Sequence, residues 1–117
     1  MISESIDAAR EHGAAITAVP VSDTIKLVNS SGLVSETINR EGLWRVQTPQ
    51  AFRFSLLQEA FEKAKSEDFY GTDEGALIER LGKPVKIVEG SEKNIKITRP
   101  EDMDLCEIFA SKIFPEV

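Results

Sequence analysis

The chain has 117 residues, 41% of them hydrophobic, enough for one compact domain whose core has little stability to spare. Its 20 acidic residues outnumber the 14 basic ones and leave a formal charge of -6, so the overall field repels polyanions and argues against general nucleic-acid binding. A small phosphorylated ligand is not excluded, because a few converging Lys or Arg side chains hold a phosphate on an acidic protein.

In chain order, Ile2, Ile6 and Ala9 recur at helical spacing after Ser3, a capping residue, and Gly13 supplies a stop just past His12. Ala14 to Val21 is a nearly unbroken apolar run, the pattern of a strand covered on both faces, with Pro20 near its exit. Asp23 to Val28 and Leu33 to Ile38 flank the turn-forming cluster Asn29-Ser30-Ser31-Gly32 and predict an extended hairpin. A two-stranded hairpin is marginal by itself in water, so its apolar side should dock, with a partner subunit as the candidate. Trp44 to Thr48 reads as a return strand ending at Pro49, which has no N–H for a sheet ladder.

From Ser55, a second capping residue, Leu56, Leu57, Ala60, Phe61 and Ala64 predict a helix. Thr72 takes the same role before Asp73-Glu74, with Ala76, Leu77 and Leu81 as the buried face and Gly82-Lys83-Pro84 as the stop. Val85 to Glu89 alternates as a strand, Gly90-Ser91 turns, and Asn94 to Thr98 offers a second short strand. Pro100 opens a last helix with Glu101 and Asp102 in its first turn and Leu105, Ile108, Phe109 and Ile113 as its packing stripe. The single cysteine, Cys106, lies within that stripe, reads as a packing residue and has no internal disulfide partner.

No apolar run approaches the roughly 20 residues that span a bilayer, and Glu4, Asp7 and Glu11 occupy the first segment where a secretory signal would be apolar, so a cytoplasmic protein is expected. The order of elements predicts an α/β sheet. A doubly wound nucleotide-binding domain normally starts with a strand and a Gly-rich phosphate turn, and neither occurs in this sequence. The expectation is therefore one part of a larger unit.

Few residues suggest chemistry. Arg40 lies where the hairpin returns to the body, next to Gly42; its guanidinium suits a phosphate, and an unliganded surface cation explains it too. Alternation sets Lys96 on the face opposite Ile95 and Ile97, toward either a cleft or solvent. Asp23-Thr24 stands at a strand exit, where ligand loops of open α/β sheets gather, although a local side-chain turn accounts for it equally. Thr48-Pro49-Gln50 reads as a strand-ending turn with a hydroxyl, and Thr72 first as a cap. With one His and one Cys, a zinc site is hard to assemble, and His12 reads as a solvent-facing residue at a helix end.

Taken together and in order, Ala18-Val19-Pro20-Val21-Ser22-Asp23-Thr24-Ile25-Lys26, Arg40-Glu41-Gly42-Leu43-Trp44, Thr48-Pro49-Gln50-Ala51-Phe52, Thr72-Asp73-Glu74, Val88-Glu89-Gly90 and Asn94-Ile95-Lys96-Ile97-Thr98-Arg99-Pro100-Glu101-Asp102 carry more weight than singly. The series resembles the C-terminal half of 2-C-methyl-D-erythritol 4-phosphate cytidylyltransferases. Ribitol 5-phosphate cytidylyltransferases share part of it and are the nearest competitor.

The resemblance implies the C-terminal portion of a Rossmann-like nucleotidyltransferase with a protruding β-hairpin arm, about residues 22–42, that interlocks with the arm of a second subunit to form a homodimer. It implies a reaction in which an oxygen of the methylerythritol phosphate attacks the α-phosphorus of CTP in the presence of Mg2+ and releases pyrophosphate. Arg40 and Lys96 match the basic residues that position the substrate phosphate, and Thr24 matches a contact given by the other subunit's arm. Thr48 and Thr72 match positions near substrate or nucleotide, and Asp23 shapes the arm entry. The family's Gly-rich loop, cytosine-binding segment and metal-holding acid precede the region matched. The main metal ligand is accordingly expected outside these residues, and this chain alone is expected to be inactive, with a purely self-associating fragment as the alternative.

Overall fold

The computed structural model describes residues 1–71 and 73–115. Helix α1 (Ile2–His12) leads through Gly13, at φ 96°, into strand β1 (Ala14–Pro20). That positive φ is the left-handed conformation glycine adopts without the Cβ penalty, and the Gly13 N–H closes the helix on the Ala9 carbonyl at 2.8 Å. The N-cap of α1 is Met1 and not Ser3, so the helix starts earlier than the capping pattern suggests.

β1 is the middle of a three-stranded sheet, between β4 (Trp44–Phe52), which runs antiparallel to it, and β5 (Lys86–Glu89), which runs parallel. Ala14 to Val19 are all buried, as the unbroken apolar run predicts for a strand with both faces covered. Neighbouring side chains of β1 point to opposite faces. Ser5 of α1 meets Thr17, whereas Gly75 of helix α3 (Glu74–Arg80) lies against Ile16, so α1 and α3 cover opposite faces of the sheet. Helix α2 (Phe54–Ser66) packs on α3, and Ala14, Ala60, Ala64, Leu77 and Ile78 form the apolar core between them and the sheet.

β4 does not stop at Pro49. It continues to Phe52, because between the pairs Ile16–Gln50 and Ala18–Val46 it carries three residues against one in β1. Pro49 sits in that bulge, where no ladder hydrogen bond is asked of its nitrogen, and its carbonyl accepts from the Thr17 hydroxyl at 2.7 Å. The Thr17 oxygen is also 3.3 Å from that of Ser5, whose own hydroxyl donates to the Met1 carbonyl at 2.7 Å. The Thr48–Pro49 peptide is cis.

The hairpin forms a separate two-stranded sheet of β2 (Ile25–Val28) and β3 (Val34–Ile38). The Asn29 side chain accepts from the Ser31 and Leu33 amides at 3.0 Å each, an Asx turn that closes the tip. Its base is tied by the Val21 amide donating to the Leu43 carbonyl at 3.0 Å. Ile25, Leu27, Val28 and Val34 are all exposed.

Four further expectations change. α2 begins at Phe54 with Arg53 as its N-cap, so Ser55 lies inside the first turn. Thr72 lies outside the described residues, and the cap of α3 is Asp73, whose Oδ1 accepts from the Ala76 amide at 2.9 Å. Asn94 to Thr98 forms no strand and no ladder, and the Asn94 carbonyl is taken instead by a side chain of β4. The last helix, α4 (Pro100–Ile113), contains no buried residue: Leu105, Ile108 and Ile113 are 42%, 52% and 55% exposed, and Phe109 and Cys106 are half-buried. Its apolar stripe is present, but no other element of the described residues packs extensively against it.

Candidate functional site

A cleft of about 710 Å³ opens between β4 and the segment leading to α4. β4 contributes Arg45 and Thr48, the segment contributes Lys96 and Arg99, and Asp73 and Asp102 stand at the start of two helices. Three cations therefore face two carboxylates in a depression on a protein of net negative charge. The carboxylates are already engaged. Asp73 caps α3, and Asp102 Oδ2 accepts from the Thr98 amide at 2.9 Å, the Thr98 hydroxyl at 3.0 Å and the Arg99 amide at 2.9 Å. Those amide bonds, first that of Thr98 and then that of Arg99, hold the Asp102 carboxyl below its ordinary value of 3.8, so it is ionised at neutral pH.

The cations differ in freedom. Arg45 is paired with Glu92 at 2.5 Å on the surface, while among the described residues Lys96 makes no ion pair. A lysine is a compact point charge on a flexible stem, suited to meeting a phosphate that arrives with a ligand. Thr48 lines the facing wall.

Lys96 and Thr48 are thus brought together, and Arg40 and Thr24 are not among the residues lining this cleft. Arg40 stands at the base of the arm, exposed, with its guanidinium donating to the Ser22 carbonyl beside the arm's entry. The turn that delivers it, closed by the Leu43 amide on the Arg40 carbonyl at 2.9 Å, uses Gly42 at φ 82°, a left-handed position. Asp23 and Thr24 are exposed at the same entry.

Sequence reading missed Arg45, Arg99, Gln47 and Asn94. Gln47 is 9% exposed, and its Nε2 donates to the Ser91 and Asn94 carbonyls at 2.8 and 3.1 Å. Asn94 Nδ2 in turn donates to the Thr48 carbonyl at 2.6 Å and approaches Gln47 Oε1 at 3.3 Å. The alternation of Trp44 and Val46 against Arg45 and Gln47 was the available signal, but it reads equally as a solvent-facing polar side. A second groove, of about 670 Å³ between α2 and α3, is walled by Phe61, Phe69 and Tyr70 and shares Asp73 with the first, but Lys96, Thr48, Arg40 and Thr24 are not among its lining residues.

A metal fits poorly here. Among the described residues no three His, Cys, Asp or Glu side chains stand close enough to share an ion, and Asp73 and Asp102 already accept backbone hydrogen bonds.

Comparison with known proteins bears on the same region. A family model described as 2-C-methyl-D-erythritol 4-phosphate cytidylyltransferase matches residues 1–112. Proteins of that name from Syntrophus aciditrophicus and Geobacillus thermodenitrificans are 53% and 56% identical, over 96% of this chain in both cases and 48% and 49% of their own length. The crystal structure of the Thermus thermophilus enzyme superposes with a TM-score of 0.83 at 36% identity, over 93% of this chain and 54% of that one. The Francisella tularensis structure gives 0.83 at 32% identity, over 92% and 51%. The chain spans about half the length of the relatives it matches, and its architecture is a part of their Rossmann-like nucleotidyltransferase fold. It belongs to the 2-C-methyl-D-erythritol 4-phosphate cytidylyltransferase family.

Proposed function

We propose that this chain supplies the substrate-phosphate side of a cytidylyltransferase that converts CTP and 2-C-methyl-D-erythritol 4-phosphate into the cytidine diphosphate derivative and pyrophosphate, a step of isoprenoid precursor synthesis. The observation that carries the reading is Lys96, without an ion pair among the described residues, facing Thr48 across a cleft with Arg45 and Arg99. Phosphoryl and nucleotidyl transfer ask a protein for charge neutralisation and alignment more than for covalent chemistry. In this reading Lys96 holds the methylerythritol phosphate from the cleft so that its oxygen faces the α-phosphorus, and Arg40 joins it from the base of the arm, outside that cleft. Thr48 is near substrate or nucleotide, the family likeness gives Thr72 the same role, and Thr24 reaches in from the arm of a second subunit. Mg2+ belongs to the reading as a cofactor of the nucleotide, but the carboxylates described here do not fit it and no step is assigned to it.

A homodimer through the arm is part of the reading, supported by the exposed apolar residues of β2 and β3. No helix among the described residues is long and apolar enough to cross a membrane, and the reading takes the enzyme to work in the cytoplasm on small soluble phosphates.

The test is calorimetric titration of the chain with methylerythritol phosphate, beside ribitol 5-phosphate. The expected result is binding of the former, weakened by at least about ten-fold in Lys96→Ala, the effect of losing one charge-assisted contact. An unchanged Kd in Lys96→Ala overturns the role of Lys96, and preference for ribitol 5-phosphate moves the chain to the other polyol. Mixed with CTP, methylerythritol phosphate and Mg2+, the chain alone is expected to release no pyrophosphate.

A further inference from the structure

Residues 91–98 carry Lys96 but have no ladder hydrogen bond to either neighbouring strand. Backbone pairing therefore does not set where Lys96 stands above the cleft. Side chains do, at both ends of the segment. At the far end Asp102 gathers the Thr98 and Arg99 amides at 2.9 Å each. At the near end stand Gln47 and Asn94.

Gln47 projects from β4 into a nearly closed space. Its Nε2 faces two carbonyl oxygens, Ser91 at 2.8 Å and Asn94 at 3.1 Å, which fixes the orientation of the amide, since the reverse would set oxygen against two oxygens. Asn94 answers by donating from Nδ2 to the Thr48 carbonyl at 2.6 Å, on the wall opposite Lys96, with Gln47 Oε1 at 3.3 Å. Gly90 makes the arrangement possible: a Cβ there would lie 2.2 Å from Gln47 Oε1 and 2.7 Å from Thr17 Cγ2. The two carboxamides thus tie both walls of the cleft together just before Lys96.

We propose that Gln47 and Asn94 are positioning residues that hold the Lys96 segment against β4, so that the ammonium group meets the substrate phosphate at a set height. This rests on the functional reading above for the ligand, but the clasp itself can be tested without one. Hydrogen exchange of the amides of residues 94–98 is compared in the unaltered chain, Gln47→Leu and Gln47→Glu. The leucine removes the donor, whereas the glutamate, driven toward its protonated form by the two carbonyls, keeps one donating O–H in place of two N–H groups.

Gln47→Leu is expected to speed exchange in 94–98 by at least about ten-fold relative to the helix core, and Gln47→Glu by less, the effect of leaving half-buried carbonyls unpaired. Exchange unchanged in Gln47→Leu overturns the clasp, because a filled space without donors would then suffice. For the ligand step, the Kd for methylerythritol phosphate is measured in Gln47→Leu, Lys96→Ala and the double variant. Positioning predicts that Gln47→Leu weakens binding and adds nothing once Lys96 is gone. Independent, additive losses overturn a role exerted through Lys96. If the unaltered chain fails to bind methylerythritol phosphate, the substrate reading fails, and the exchange result still decides the clasp.

Discussion

Two regions of the molecule treat their apolar residues in opposite ways. Around β1 the chain covers itself: Ala14, Ala15 and Ala18 are wholly buried, and Ile78 reaches the sheet from α3 with no exposed surface. In the arm and in α4 the same residue types stand in solvent, with Val28 53%, Val34 56% and Ile108 52% exposed. Small side chains along β1 let helices approach both faces closely, whereas the arm and α4 project beyond the reach of any such layer. The difference separates what this sequence stabilises unaided from what a facing surface must complete.

The sharpest way to break that contrast is Ile78→Ala, expected to cost about 3 kcal/mol through the cavity it leaves, read from the urea midpoint. A loss below about 0.5 kcal/mol would show that the layer is loosely packed. The arm should behave in reverse. Val28 and Val34 are cross-strand partners, so Val28→Lys combined with Val34→Glu keeps a favourable pair within the hairpin while making its apolar side charged. Core stability is expected to move by less than about 0.5 kcal/mol, while sedimentation should show loss of the dimer proposed above. A dimer that survives would remove the arm from the interface.

The smallest effect concerns the root of α4. Bonds to the Thr98 and Arg99 amides favour the Asp102 carboxylate, so its folded-state pKa lies below the ordinary 3.8. What it contributes is complete above 3.8 and is lost as pH falls through the lowered value. The amide resonance of Arg99 should titrate with a midpoint below 3.8, and Asp102→Asn should abolish the step. A midpoint at or above 3.8 would mean that the carboxylate is not holding those amides.

Elements that answer to local rules were legible in the sequence. The apolar run of β1, the glycine stop at Gly13, the hairpin tip at Asn29 to Gly32 and the proline-opened α4 all appear where composition and turn chemistry put them. What escaped depends on partners distant in sequence. β4 passes Pro49 because β1 is short of residues opposite it, and the segment around Asn94 is no strand because Gln47, far back in the chain, takes the carbonyls of Ser91 and Asn94. An apolar stripe announces that α4 needs a covering surface without saying where that surface is. At the site, alternation left Lys96 facing either a cleft or solvent and the structure sets it on a cleft wall, whereas Gln47 and Asn94 act through geometry that no spacing rule encodes.

Where Ser5 meets Thr17, the count of protons matters more than the distance. Each hydroxyl owns one, and the carbonyls of Met1 and Pro49 accept both. The 3.3 Å approach of the two oxygens is therefore left without a hydrogen between them. Ser5 acts on Thr17 as a rival lone pair, and Ser5→Ala would leave the Thr17 proton only one destination. A helix on one face of the sheet thus bears on the carbonyl of Pro49, next to Thr48 on the cleft wall, by competing for a proton and without donating one.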